Sequence, residues 1–377
     1  MARRLAGGAL AAFAALVLAA CASAPSADVL ARLEPRLGQL LLAGFRGTTF
    51  ADNAELDALL CRARTGGILL FGRNIVDAAQ VAALTAASAA RAAECGTAPL
   101  LVAVDAEGGR VMRLSPGAGY VATLSHKDLG DGNDLALTEL EARRIGAMLR
   151  EAGINWNLAP VVDVGYNPAN PVIVGYGRSF SANPVLVAAQ ARAFITGLRR
   201  EGVLSALKHF PGHGSSFADS HHGFVDVTDT ADARLELAPY RRLFAEGAVD
   251  SVMTAHVFNR YLDDQYPATL SRRTITGLLR GDLGWSGAVV SDDLRMGAIE
   301  QHYGLEDAVV LALDAGVDVL LIAEDHLPDG RSAAAVALEA IRSALREGRL
   351  SVAAVEAALH RVETLKRALR TRESASP

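Results

Sequence analysis

The 377-residue chain has no basic excess. Its 37 Lys and Arg face 42 Asp and Glu for a formal charge of −5, so nothing draws it in general to nucleic acid or anionic lipid. Charge is sparse, at 21 % of residues, while 51 % are apolar. A large core is therefore available, and the length fits roughly one to three domains. No linker, short-period repeat or low-complexity segment divides the chain after its N-terminus. No apolar run reaches the roughly twenty residues of a membrane span. A glycine-rich dinucleotide fingerprint after the first apolar run is missing too. Cysteine is limited to Cys21, Cys61 and Cys95.

What is present begins with an export pattern. MARR is followed by the apolar GGALAAFAALVLAA and then by Cys21 with ASAPSAD, which reads as a charged n-region, a short h-region and a small-residue boundary. Leu18, Ala19, Ala20 and Cys21 resemble a bacterial lipobox, which implies lipidation of Cys21, with residues 1–20 as signal peptide and 21–35 as tether. Ala22 stands where such lipoproteins carry Asp for inner-membrane retention, so an outer-membrane anchor facing the periplasm is expected. Removing residues 1–20, with Arg3 and Arg4, leaves 357 residues and a formal charge of −7.

Eight short apolar runs follow: QLLLAGF (39–45), GGILLF (66–71), LLVAVD (100–105), INWNLAPVVDV (154–164), LSALKHF (204–210), SVMTAH (251–256), AVVSDD (288–293) and VDVLLIA (317–323). Helically spaced stretches separate most of them, such as 136–153 and 185–202, each closed by a Gly suited to a helix C-cap. Continuous apolar strands between amphipathic helices predict a parallel sheet covered by helices. Eight units in about 290 residues predict an α/β fold with a single (β/α)₈ barrel over residues 36–377, two C-terminal helices included. Cys61 and Cys95 each lie five residues before a run. Equal offsets on neighbouring strands place both on one face, where a disulfide is possible in an oxidising compartment.

In such a barrel the catalytic groups sit at the C-terminal ends of strands. The runs end in or lead to Asp105, Asp163, Lys208 with His209, His256, Asp292 with Asp293, and Glu324 with Asp325. So many ionisable groups at strand ends predict one polar site. The densest stretch is KHFPGHGSSFADSHH (208–222), with four of the chain's nine histidines. Metal binding by His209, His213, His221 and His222 finds little support, because their spacing lacks the helical register of H-E-x-x-H. A Ser215 nucleophile lacks the G-x-S-x-G turn. Proton transfer fits better, since Asp219 two residues before His221 can fix the imidazole tautomer and raise its basicity. The alternative is that Asp219 caps a turn and His221 is solvated.

KHFPGHG followed by DSHH, with VDAEGGRVMRL (104–114), GRSF (177–180), MTAHV (253–257) and SDDLRMGAI (291–299), resembles the bacterial β-N-acetylglucosaminidases of glycoside hydrolase family 3. The resemblance runs from about residue 36 to about 325. It implies a retaining glycosidase acting on an N-acetylglucosamine-containing glycan, with no cofactor. No metal and no nucleic-acid partner are expected from the histidine spacing and the charge, and a monomer is expected. The resemblance further implies Asp292 as the nucleophile, His221 as acid/base and Asp219 as its partner. Asp105, Arg113, Arg178, Lys208 and His209 match sugar-binding positions. On residues alone Asp293 is as good a nucleophile as Asp292; the resemblance selects the first. Glu107 reads as orienting its loop, Arg110 and His256 as supporting groups, His213 as a loop brace and His222 as solvated. Trp156 and Trp285 read as packing. A family 3 β-glucosidase, a phosphorylase and a catalytically silent glycan-binding protein are the competing functions. The export signal is a departure from the cytosolic members and leaves the physiological glycan open.

Overall fold

The computed structural model describes residues 26–97 and 99–373. The signal, Cys21 and the first part of the expected tether lie outside them. The eight runs form eight parallel strands: β1 (Leu41–Gly44), β2 (Gly67–Leu70), β3 (Leu101–Val104), β4 (Trp156–Asn157), β5 (Leu204–Phe210), β6 (Ser251–Thr254), β7 (Ala288–Val290) and β8 (Leu320–Ile322). Each pairs with its neighbour in chain order, and β8 returns to β1 with Leu41 opposite Leu320. Between β7 and β8 the ring closes through the Val290–Val319 bridge. There the Ser291 amide donates to the Val319 carbonyl at 2.9 Å and the Asp318 amide to that of Val289 at 2.8 Å. Every residue of β1, β2 and β3 is buried, since the barrel interior covers one face and helices the other. That is why these strands read as unbroken apolar runs.

The helices carry explicit start and stop signals. α1 spans Ala27–Leu33, α2 Ala54–Cys61, α3 Ala78–Glu94, α4 His126–Gly132, α5 Leu135–Glu151 and α6 Pro184–Arg200. Asp77, Asp134 and Asn183 cap α3, α5 and α6 by accepting amides of the first turn, and Pro184 fills the first position of α6, where no amide is needed. Gly153 and Gly202 follow α5 and α6 with φ of +68° and +79°, the left-handed conformation that ends a helix most easily at glycine. Then come α7 (Ala233–Glu236), α8 (Ala238–Ala245), α9 (Gly297–Ala315), α10 (Ala333–Arg346) and α11 (Val352–Glu373). From Ala27 onward the segment expected as tether is helical, with Leu33 in the core. α11 is tied to the barrel floor by Arg361, which with Arg280 donates to the buried Asp318, both at 2.8 Å.

Cys61 ends α2 and Cys95 caps α3. Their Cα atoms are 5.2 Å apart and the sulfurs are bonded. A separation of 34 residues corresponds to about 3–4 kcal/mol of stabilisation through the unfolded chain. Cys61→Ser is therefore expected to lower the urea midpoint while leaving turnover unchanged, since both helices end at the barrel face away from the strand C-termini. Loss of activity under folded conditions would contradict this.

Candidate active site

At the strand C-termini lies a pocket of about 440 Å³, within the range of small-molecule sites. Asp105, Arg113, Arg178, Lys208, His209, Asp219, His221 and Asp292 all line it. These eight come from five separate segments of sequence, brought together only by barrel closure.

The floor is a continuous ionic network. Lys208, at the end of β5, donates to Asp105 Oδ1 and to Glu107 Oε1, each at 2.7 Å. Arg178 grips Glu107 with two bonds of 2.8 Å, a bidentate geometry that fixes the guanidinium plane. Arg113 reaches Asp105 Oδ2 at 3.5 Å. Burial alone would raise the carboxyl of Glu107, but Arg178 and Lys208 outweigh it and hold it well below the usual range. Asp105 is lowered likewise against its own burial by Lys208 and Arg113. Glu107 is 1 % exposed and sets the positions of Arg178 and Lys208 from beneath. Asp163, also buried, accepts from His209 Nδ1 at 2.7 Å and from the His213 amide at 2.8 Å. With Nδ1 donating to Asp163, His209 Nε2 is left to accept from Arg178 Nη2 at 3.2 Å.

Asp292 and Asp293 follow β7 and have different surroundings. Asp293 Oδ1 accepts the amides of Arg295 and Ala323 at 3.1 and 3.0 Å, and its carbonyl accepts from His256 Nε2 at 2.8 Å. It is a turn-forming side chain, and burial, with the charge of Asp292 adding, pushes it up to about 6. Among the described residues Asp292 accepts only the Asp293 amide, at 2.8 Å, and its carboxylate lines the pocket. Burial would raise it, yet His256, His209 and His221 hold it down to about 2. It is an anion poised beside open space.

The segment 211–223 rises from the end of β5 and crosses the mouth. Its root is pinned: His213 engages Ser216 Oγ at 2.6 Å and Ser220 Oγ at 3.1 Å, and Asn170 donates to the His213 carbonyl at 2.8 Å. His213 thus braces the loop through serine hydroxyls as well as its backbone. At the tip, Asp219 Oδ1 accepts from the His221 amide at 2.9 Å and sits 2.6 Å from its Nδ1. That contact directs Nε2 away from Asp219. His222 is 85 % exposed at its side chain, with Nε2 3.9 Å from Asp219 Oδ2. Arg110 lies over the Tyr176 ring at 5.8 Å on the pocket wall. Trp156 is buried with its indole donating to Ser251, and Trp285 stacks on Phe244. Among the described residues no three His, Cys, Asp or Glu side chains converge to hold a metal ion.

Glu236, at the end of α7, has no sequence signal. It accepts from Tyr166 Oη at 2.6 Å and from the Ser215 amide at 3.1 Å, beneath the loop root. Burial pushes its carboxyl up to about 7. As pH rises from about 4.5 to 7 the unfolded glutamate ionises while the folded one keeps its proton, so stability falls over that window and is flat above it. Glu236→Gln removes this contribution. Relative to the parent, its unfolding free energy is expected to gain up to about 3 kcal/mol between pH 4.5 and 7.5, measured by urea titration at both pH values. Parallel pH profiles would reject a buried, proton-holding Glu236.

An α/β barrel with acidic and imidazole side chains over an ionic floor is the setting of glycosidic bond chemistry. Residues 32–365 match the profile of the glycosyl hydrolase family 3 N terminal domain, and the chain belongs to glycoside hydrolase family 3. It is 36 % identical over 353 residues to β-hexosaminidase LpqI of Mycobacterium tuberculosis, covering 91 % of this chain and 85 % of that one. To β-hexosaminidase A of Pseudoalteromonas piscicida it is 37 % identical over 285 residues, 71 % of this chain but only 47 % of the relative. A solved family 3 β-N-acetylglucosaminidase from Paenibacillus sp. superposes with a TM-score of 0.83 at 40 % identity, over 90 % of this chain and 62 % of that one. The chain therefore spans about half to two thirds of two of these proteins and most of the third.

Proposed function

We propose that this chain is a retaining β-N-acetylhexosaminidase that removes terminal non-reducing β-linked N-acetylglucosamine from glycans such as peptidoglycan fragments. The observation that carries the reading is the pairing, on one pocket wall and its overhanging loop, of an unencumbered Asp292 anion with a His221 oriented by Asp219. In the first step an Asp292 oxygen attacks the anomeric carbon as the glycosidic C–O bond breaks, and the Nε2 proton of His221 passes to the leaving oxygen. In the second, Nε2 takes a proton from water, whose oxygen displaces Asp292 from the sugar. The imidazolium formed at each turn keeps its Nδ1–H on Asp219. Asp105, Lys208, Arg178 and Arg113 present charged hydrogen-bond partners to the sugar hydroxyls from the floor, and the names of the relatives support the acetamido sugar.

The test is turnover of aryl β-N-acetylglucosaminide against aryl β-glucoside by the chain lacking residues 1–21, with products analysed in the presence and absence of phosphate. Preference for the glucoside, or a sugar phosphate as main product, would overturn the reading. We also propose lipidation of Cys21 and an outer-membrane, periplasm-facing location, supported by the Leu18–Cys21 pattern. Cys21→Ser is expected to abolish incorporation of labelled fatty acid and to release the protein from membranes; continued labelling would reject it.

A further inference from the structure

The loop that carries His221 is anchored at its root, but its tip is open to solvent: Phe217 is 65 % exposed and the His221 side chain 56 %. Most of what holds the tip over the pocket comes from the start of α9. The Ala298 amide donates to the Ser220 carbonyl at 3.2 Å and the Gly297 amide to the His221 carbonyl at 3.3 Å. Gln301 Nε2 donates to the His222 carbonyl at 3.3 Å. The Phe224 ring packs against Phe258 and His302 at 5.3 and 5.7 Å. This approach requires glycine at 297, because a Cβ there would stand 2.9 Å from the His222 carbonyl carbon and 3.0 Å from the His221 oxygen.

Two features make this contact a register for catalysis. Gly297 is five residues beyond Asp292, and the connection between them is stiffened by Asp293, which bonds the amides of Arg295 and Ala323. Gly304, at φ +68° and ψ 167°, separates the docking turns 297–303 from the rest of α9. The piece holding the loop is thereby set by the nucleophile's own turn.

We propose that the first turns of α9 are the seat that positions the acid/base, with Gly297 and Gln301 as positioning residues that bring His221 into register with Asp292. The proposal rests on the acid/base reading of His221. A methyl at 297 forces the loop backbone to shift, and loss of Gln301 frees the His222 carbonyl, while neither residue lines the sugar pocket. Misplacing a proton donor by about 1 Å costs about 10- to 100-fold.

The test uses Gly297→Ala and Gln301→Ala in the full chain, beside His221→Ala. Expected are kcat losses of about 10-fold or more on substrates with poor leaving groups and under about 3-fold on activated aryl glycosides, with the inhibition constant of N-acetylglucosamine unchanged. Amide hydrogen exchange should quicken in 217–224 and stay at the parent rate in 211–215. Gly297→Ala combined with His221→Ala should be no worse than His221→Ala alone. Flat leaving-group series and parent-like exchange in both seat variants, beside a steep series for His221→Ala, would overturn the seat alone. A flat series for His221→Ala itself would sink the acid/base reading and the seat with it.

Discussion

Asp292→Ala is expected to lower kcat by about four orders of magnitude or more while the protein stays folded, because in the proposed mechanism it removes the nucleophile of the covalent intermediate and the charge facing the oxocarbenium-like transition state. Among the described residues Asp292 has no salt-bridge partner and accepts a single amide, so truncation leaves little unsatisfied. Asp293→Ala should show the opposite balance. It strips the amides of Arg295 and Ala323 of their acceptor, at about 1–3 kcal/mol for each buried donor left unpaired, and damages activity only through the geometry of the turn. Steady-state kinetics with thermal unfolding of both variants decides the matter. If Asp293→Ala is the more damaging to kcat, or if Asp292→Ala turns over within a few-fold of the parent, the nucleophile has been assigned to the wrong carboxylate. A slow substrate quenched with acid should add one sugar mass to the peptide containing Asp292 in the parent and not in Asp292→Ala.

The strand order was legible because a parallel barrel buries both faces of each strand, so its strands stand out as apolar runs whatever their neighbours. Strand lengths were not. The run 154–164 supplies only Trp156–Asn157 and an isolated bridge from Val161 to Lys208, since Pro160 has no amide to give the ladder. AVVSDD stops pairing as a strand at Val290, where the chain turns to present Asp292. Helix ends were easier, because Gly153 and Gly202 each mark a backbone conformation that glycine adopts without strain. The irregular helix Arg273–Asp282 has no pattern in the sequence that separates it from an ordinary one.

For the site, the strand-end rule gathered Asp105, Lys208, His209, Asp292 and Asp293 of the pocket lining, but also Glu324 and Asp325, which pair with Arg46 instead. Asp219 and His221 stood out by their spacing, Arg113 and Arg178 only by the family motifs, and the supporting groups beneath the pocket were harder to see. Glu107 lies in a glycine-flanked segment that reads as a loop, and only the folded chain shows it buried between Arg178 and Lys208. Asp163 was visible as a strand-end carboxylate, but its role in fixing the His209 ring depends on β4 and β5 being neighbours. Glu236 and Gln301 sit on helices with polar neighbours, where a buried acid or a loop-holding amide looks like any surface residue. Sequence marks chemistry where a residue type is rare for its setting; it is silent where a common residue is placed by tertiary contact.

His221→Ala carries the second large effect, and its signature is a dependence on leaving group. General acid assistance matters in proportion to the basicity of the departing oxygen and contributes about 10²–10⁴-fold where that oxygen is poor. The glycosylation step for alkyl or sugar leaving groups is expected to fall by that order, while a nitrophenyl glycoside, whose anion departs without a proton, should lose far less. In the parent, Asp219 holds Nδ1 of His221 at 2.6 Å, and its carboxyl is lowered, against partial burial, by bonds from the His221 amide and ring. It is therefore charged at neutral pH and, in the proposed mechanism, stabilises the imidazolium that forms as Nε2 takes up a proton. Asp219→Asn removes that charge, so the variant's loss should be smaller than that of His221→Ala, greatest for poor leaving groups, and joined by a displaced pH profile for kcat/KM. Pre-steady-state rates across a leaving-group series give both slopes. Equal losses at every leaving group would leave His221 as a binding residue, and an unchanged profile in Asp219→Asn would reduce Asp219 to the cap of its turn.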